Sequence, residues 1–234
     1  EKIIDLGNGV DLTLVWIPPG SFMMGSFSSD PDAEGIEKPC HEVTLTQGFW
    51  MGKYEVTQAQ WKQIMGLTNN PSEFQGDNRP VENVSWNDAQ EFIAVLNQAT
   101  GQTFSLPTEA QWEYAARGDA APRQKYSGSD DVDQVGWYFN NSNETTHPVG
   151  EKAANAWGLH DMSGNAWEWC QDWYGTYPSG PVTDPTGPAS GVYRVIRGGG
   201  EKTVAEYLRS AYRNMSKPNV AYIIPSGFRL VMQP

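Results

Sequence analysis

Residues 119 to 193 carry no sustained helical or strand period and are rich in Gly, Pro, Asn, Asp and Trp. A stretch of that length without regular elements ordinarily argues against a compact domain. The aromatic content reverses the argument. Trp137, Tyr138, Trp157, Trp167, Trp169, Trp173 and Tyr174 fall inside it and supply far more buriable area than a disordered linker carries. The stretch is therefore predicted to fold as long loops with short strands between them, held by large aromatic anchors.

The chain before it is more regular. Residues 11 to 17 are β-branched and apolar up to Pro18-Pro19, and residues 42 to 46 alternate with period two, so both read as strands. Thr57 caps a short helix over residues 58 to 65, where Trp61, Ile64 and Met65 share a face. Ser85 with Asp88 forms a capping box before a helix that presents Ala89, Phe92, Ile93 and Leu96, and Thr108 with Gln111 opens another that ends at Gly118. No linker and no internal repeat interrupts the 234 residues. The expected fold class is α+β, one loop-rich domain over residues 1 to 234 with two or three helices.

Charge limits the function. Lys+Arg of 16 against Asp+Glu of 28 gives a net charge of -12, which repels phosphate backbones and anionic lipid, so no nucleic-acid partner is expected. No apolar run reaches the roughly 18 residues that span a bilayer. The chain begins at Glu1 without an initiator Met or a signal segment, and is read as processed or truncated. Cys40 and Cys170 are too few for a disulfide framework; they either pair in an oxidising compartment or sit as two buried thiols. His41, His147 and His160 stand in separate parts of the sequence and read as unrelated residues, not a metal triad.

Between residues 197 and 230, short invariant-looking words alternate with chemically arbitrary tracts. The words are Arg197-Gly198-Gly199, Leu208-Arg209-Ser210-Ala211-Tyr212-Arg213 and Gly227-Phe228-Arg229-Leu230. Residues 201 to 207 and 215 to 226 mix acid, base, aromatic, aliphatic and proline with no period. Periodicity alone would make residues 220 to 224 a buried strand and 201 to 207 an ordinary loop.

Further words occur in order along the chain: Trp16-Ile17-Pro18-Pro19-Gly20-Ser21-Phe22, Lys53-Tyr54-Glu55-Val56-Thr57, Leu106-Pro107-Thr108-Glu109-Ala110-Gln111-Trp112-Glu113-Tyr114, and Gly158-Leu159-His160-Asp161-Met162-Ser163-Gly164-Asn165-Ala166-Trp167-Glu168-Trp169. With the C-terminal words they resemble the formylglycine-generating, or sulfatase-modifying factor, family, and the resemblance covers nearly the whole chain. It implies a variant of the C-type lectin fold. The family's oxidases use two cysteines at positions that are Thr203 and Leu208 here. Neither forms a thiolate, which is the nucleophile and copper ligand of that chemistry, so no copper and no catalysis are expected; a formylglycine-generating enzyme is the alternative reading. The frame R-G-G, L-R-S-A-Y-R-N, G-F-R-L further resembles the variable proteins of diversity-generating retroelements, with spirochaetal surface lipoproteins among them. That resemblance implies a display protein at the cell surface, outside the cytoplasm, whose only tie to a membrane is a lipid anchor carried by an N-terminal segment removed from this sequence. It also implies a variable region over about residues 197 to 230. From the wider family it implies a structural Ca2+ site at Asp161, Gly164, Ala166 and Glu168, whose hard oxygen donors suit that ion; the alternative is that Asp161 and Glu168 pair with arginines.

Arg209, Arg213 and Arg229 are costly to bury unless paired, and acids such as Asp172 or Glu168 are their expected partners. The expected ligand-binding residues are Glu201, Lys202, Thr203, Val204, Glu206, Tyr207, Met215, Ser216, Lys217, Val220, Tyr222, Ile223 and Ile224. Tyr207 and Tyr222 are the expected anchors, because tyrosine offers large amphipathic contact area at little entropic cost. The sugar-binding triplets of lectins are missing from the C-terminal region, and Trp86-Asn87-Asp88 starts a helix instead. A protein ligand is therefore expected over a glycan, bound by a monomer.

Overall fold

The computed structural model describes residues 1–119, 123–221 and 224–234. Strands β1 (Lys2–Asp5) and β2 (Asp11–Ile17) form an antiparallel hairpin, with Lys2 opposite Leu14 and Asp5 opposite Asp11. Strands β3 (Gly20–Met24) and β4 (His41–Leu45) pair antiparallel, and β5 (Phe49–Gly52) returns to pair with β2. Side chains alternate across β2 as strand geometry requires. Leu12 and Leu14 enter one core cluster while Val15 and Ile17 enter another, so both faces of the strand are covered.

Helices α1 (Gln58–Met65), α2 (Trp86–Thr100) and α3 (Glu109–Arg117) follow, with the two-residue strand β6 (Phe104–Ser105) between the last two. All three carry the expected caps. Ser85 Oγ accepts from Asp88 N at 3.1 Å while Asp88 Oδ2 accepts from Ser85 N at 2.9 Å, and Thr108 with Gln111 makes the same exchange at 3.1 and 2.9 Å. Helices α2 and α3 end on Gly101 and Gly118 in the left-handed region, at φ 68° and 57°. Trp61 of α1 stacks on Phe92 of α2 with ring centroids 5.4 Å apart, and Phe228 meets Phe92 edge-on at 5.4 Å. The apolar period of α2 is thus buried against a C-terminal word.

The long irregular stretch contains the single turn α4 (Val132–Val135) and the strands β7 (Trp167–Trp173) and β8 (Val182–Thr183). Its aromatic anchors are packed as expected: Trp169 is buried with its Nε1 donating to Val84 O at 2.9 Å, and Tyr138 and Trp167 are also buried. Side-chain amides hold the backbone where regular structure is lacking. Asn155 donates to Ala115 O at 2.8 Å and accepts from Trp157 N at 3.0 Å, tying a loop to α3.

The chain closes through β9 (Arg194–Arg197), β10 (Arg213–Ser216), β11 (Ser226–Gly227) and β12 (Val231–Met232). Among the described residues three sheets result, ordered β1-β2-β5-β12-β6, β10-β9-β7-β11 and β3-β4-β8. The C-terminal residues thereby stitch the second sheet to the first. Gly227 makes the crossing possible: a Cβ there would lie 2.3 Å from Val81 O. Residues 220, 221 and 224 are not in a strand, so the buried strand that periodicity alone suggests does not form there. Both cysteines are free thiols, Cys170 buried within β7 and Cys40 half-buried. Burial pushes the Cys170 thiol well above its ordinary range.

Candidate ligand-binding surface

The C-terminal words are fixed by buried arginines. Arg197, at the end of β9, donates through Nη2 to Glu113 at 2.5 Å and to Ser210 O at 2.9 Å, and through Nη1 to the carbonyls of Ala211 and Tyr212. One guanidinium thus captures the middle of the L-R-S-A-Y-R word. Arg209 forks onto Glu37 at 2.7 and 2.6 Å, and Arg213 onto Glu109 at 2.8 and 2.5 Å. Arg229 forks onto Glu168 at 2.7 Å through both contacts and reaches Gly52 O at 3.0 Å and His160 O at 2.9 Å. Such bidentate pairs specify geometry as well as charge. Glu168 is the partner expected from sequence. Asp172 is not: it accepts from the backbone N of Glu109 at 2.9 Å, and Arg213 is taken by the Glu109 side chain because α3 brings that acid beneath the strand.

Between the words the chain turns outward. Gly198 and Gly199, at φ 91° and 81°, leave β9 in the left-handed region. The turn is closed by Thr203 N donating to Gly200 O at 2.9 Å and Gly200 N donating to Thr203 Oγ1 at 3.0 Å. A short 3-10 helix, Ala205–Leu208, then returns the backbone, and Leu208 is fully buried beside Tyr126, Val135 and Tyr138. Lys202, Val204, Glu206 and Tyr207 are left exposed on this loop, with Thr203 half-buried. Tyr207 is 38 % exposed, and its ring rests on Tyr212 at 4.6 Å, which limits its freedom before any partner arrives. In the second tract Met215 and Lys217 are exposed and Val220 is half-buried.

Some expected residues lie elsewhere. Glu201 is 3 % exposed because its N donates to Asn165 O at 3.0 Å and its O accepts from Ser142 Oγ at 2.6 Å, which draws it under the loop. Burial pushes its carboxyl up to about 7. Ser216 is buried at the end of β10, paired opposite Arg194. Ile224 is half-buried and packs against the first core cluster. These three are corrected from surface positions to supports. Tyr222 and Ile223 lie outside the described residues. Conversely, Phe139 was not anticipated: it is 52 % exposed and its N donates to Thr203 O at 3.0 Å, so a loop from the irregular stretch borders the first tract. No pattern around residue 139 in the sequence signals that neighbour.

At the four expected calcium positions the two carboxylates differ in their partners. Both Glu168 oxygens are used, by the Arg229 fork and by Trp112 Nε1 at 2.8 Å. Asp161 Oδ2 accepts from Gly150 N at 2.7 Å, while its Oδ1 is buried without a partner. Burial raises the Asp161 carboxyl to about 6, and Glu55, buried beside it, is raised as well, first by burial and then by the charges of Asp161 and Glu168. Among the described residues no group of three or more His, Cys, Asp or Glu side chains is placed to hold a metal. Gly164 and Ala166 engage the frame through their amides, to Gly198 O at 2.9 Å and Glu55 Oε1 at 2.9 Å.

Comparison with known proteins places this architecture. The sequence model of the sulfatase-modifying factor enzyme 1-like domain matches residues 11–234. The chain belongs to this family. A formylglycine-generating enzyme of Streptomyces coelicolor is 38 % identical over 164 residues, covering 62 % of this chain and 48 % of the enzyme. A chaperone protein LppX of Paenibacillus barcinonensis is 35 % identical over 211 residues, covering 68 % and 70 %. Among curated relatives the matched share of the relative's own length runs as low as 37 %. Treponema denticola variable protein 1 superposes with a TM-score of 0.90 at 31 % identity, covering 100 % of this chain and 99 % of that one. The fold is the C-type lectin-like α+β fold of the formylglycine-generating family, as the sequence words implied.

Proposed function

We propose that the chain is a non-catalytic display protein of the retroelement-diversified kind, and that its surface between the frame words binds a protein ligand. The observation that carries this reading is the division of residues 197 to 230: the words are buried in ion pairs, and Lys202, Val204, Glu206, Tyr207, Met215 and Lys217 point outward. Likeness over the whole chain to a treponemal variable protein supports it. So does the chemistry at the two oxidase positions, where Thr203 accepts a turn hydrogen bond and Leu208 fills an apolar cluster. Tyr207 is the anchor, Phe139 adds an apolar neighbour from outside residues 197 to 230, and the remaining exposed residues set specificity around them. Monomeric display at the cell surface through a lipid anchor belongs to the same proposal. At the Asp161 and Glu168 site we propose that the Arg229 guanidinium, not calcium, supplies the positive charge.

A library randomised at the six outward residues and selected against a panel of unrelated proteins tests the reading. Folded members that bind different targets are expected. Conversion of a sulfatase-motif cysteine to formylglycine by the protein with copper, read by mass spectrometry, would contradict it. A reverse transcriptase gene beside an invariant near-copy of the C-terminal coding segment is the expected genomic setting.

A further inference from the structure

A cavity of about 560 Å³ opens beside β3 and the C-terminal end of α3, lined by residues that take no part in the frame-and-tract surface. Its floor is aromatic. Tyr114 meets Trp157 edge-on with centroids 4.8 Å apart and Phe22 at 5.2 Å. Gly20 lies against the Tyr114 hydroxyl so closely that a Cβ there would be 2.3 Å from it. The bare glycine leaves room for that hydroxyl, which makes no hydrogen bond to any described residue.

The wall is basic in a chain whose net charge is -12. Arg117 is held by Glu113 through Nε at 3.0 Å and Nη2 at 2.5 Å, with Nη2 also 3.3 Å from Gly25 O, which leaves Nη1 unpartnered among the described residues. Arg123 lies 4.9 Å over the Phe27 ring and contacts Gly25 O and Cys40 Sγ, with no carboxylate partner among the described residues. Glu113 cannot neutralise both, because Arg197 already shares it. Burial pushes the Glu113 carboxyl up, but Arg117, Arg197 and Arg123 together outweigh it and hold it at about 2. Asp119 is the one acid on the wall among the described residues. Two guanidinium groups and one carboxylate therefore line a slot of ordinary ligand size with an aromatic floor.

We propose that this cavity binds a small aromatic carboxylate. The carboxylate lies between the Arg117 and Arg123 guanidinium groups, and the ring lies against Tyr114 and Trp157. Guanidinium matches carboxylate geometry and remains charged at every relevant pH, whereas an amine would be repelled by the same pair. The aromatic floor then selects a flat body over an aliphatic one.

Calorimetric titration of the whole protein with phenylacetate, indole-3-acetate, phenylacetamide, benzylamine, acetate and inorganic phosphate tests the proposal. Ligands of this size have affinities on the order of 0.1–1 mM when well seated, and the two aromatic carboxylates are expected in that range. The amide should be at least about tenfold weaker, the loss of one charge-assisted contact. Benzylamine, acetate and phosphate should not bind measurably. Arg123→Gln, which breaks no ion pair among the described residues, should weaken phenylacetate by about tenfold or more. Asp119→Asn, tolerated at φ 57° because Asn enters the left-handed region readily, should tighten it. Melting temperatures of both variants check folding. Equal affinity for phenylacetate and phenylacetamide, phosphate binding as tight as the carboxylates, or indifference to both substitutions in folded protein would overturn the proposal.

Discussion

Arg213 and Met215 stand two residues apart on β10, yet the first is 2 % exposed and the second 38 %. The same contrast runs through residues 197 to 230. Arg197, Arg209, Arg213 and Arg229 are each forked or multiply bonded to acids and carbonyls from distant parts of the chain, while Lys202 and Lys217 reach into solvent. Cations of similar hydropathy thus have opposite roles, and the difference lies in their partners. Where a buried acid takes the guanidinium in a fork, as Glu109, Glu168 and Glu37 do, the cation becomes part of the fold; Lys202, 45 % exposed with Glu201 no nearer than 3.9 Å, stays open to change.

The contrast is broken most severely at the frame. Arg229→Ala leaves Glu168 buried without its fork and beside Glu55 and Asp161, so a loss of about 3–5 kcal/mol is expected. Phe228→Ala, which removes a fully buried ring between Trp61 and Phe92, should cost about 3–5 kcal/mol as well. Urea midpoints measure both. A midpoint within error of wild type for Arg229→Ala would show that the fork is not structural.

Titration sharpens the comparison, because acids paired with arginine and acids buried without one respond in opposite senses. Burial and then the neighbouring Glu109 raise Asp172 from 3.8 to about 7. The folded state binds that proton more tightly than the unfolded chain, so its contribution is full below pH 4 and is lost as pH rises through 7. That loss is at most about 4 kcal/mol, and Glu201 acts in the same direction. Glu113, held at about 2 by Arg117 and Arg197 against its own burial, contributes above its unfolded value of 4.5 and loses that contribution as pH falls toward 2. Asp172→Asn should therefore flatten the decline between pH 4 and 7, and an unchanged stability profile would contradict this assignment.

Much of this arrangement was legible in the sequence. The cap at Thr57 and the capping pairs at Ser85 and Thr108, whose partners are three residues away, mark the helix starts in the sequence. The C-terminal words showed which positions are constrained, and Glu168 was identifiable as a partner because it sits in a word of its own. Glu37, the partner of Arg209, was not. It lies 172 residues away at the end of a one-turn 3-10 helix, Gly35–Glu37, that no sequence pattern announces, and only the fold brings the two together. The burial of Glu201 is not legible in the sequence for the same reason, since it depends on Asn165 and Ser142. Tract boundaries read from words have no means of showing which tract residues face inward.

Ile224 probes that inward boundary. It packs on the first core cluster from the end of the second tract, so Ile224→Ala should cost about 1–2 kcal/mol, between frame and surface values. A negligible cost would return Ile224 to the ligand-binding surface.

The smallest effect is expected where variation is tolerated. Simultaneous replacement of Lys202, Val204, Glu206, Tyr207, Met215 and Lys217 by serine removes exposed side chains, each worth at most about 0.5 kcal/mol. The urea midpoint of this six-site protein, measured beside Arg213→Ala, tests the division of frame and surface most directly. The six-site midpoint should stay close to wild type while that of Arg213→Ala falls steeply. A six-site midpoint that collapses while Arg213→Ala unfolds like wild type would show that the surface and the scaffold have been assigned the wrong way round.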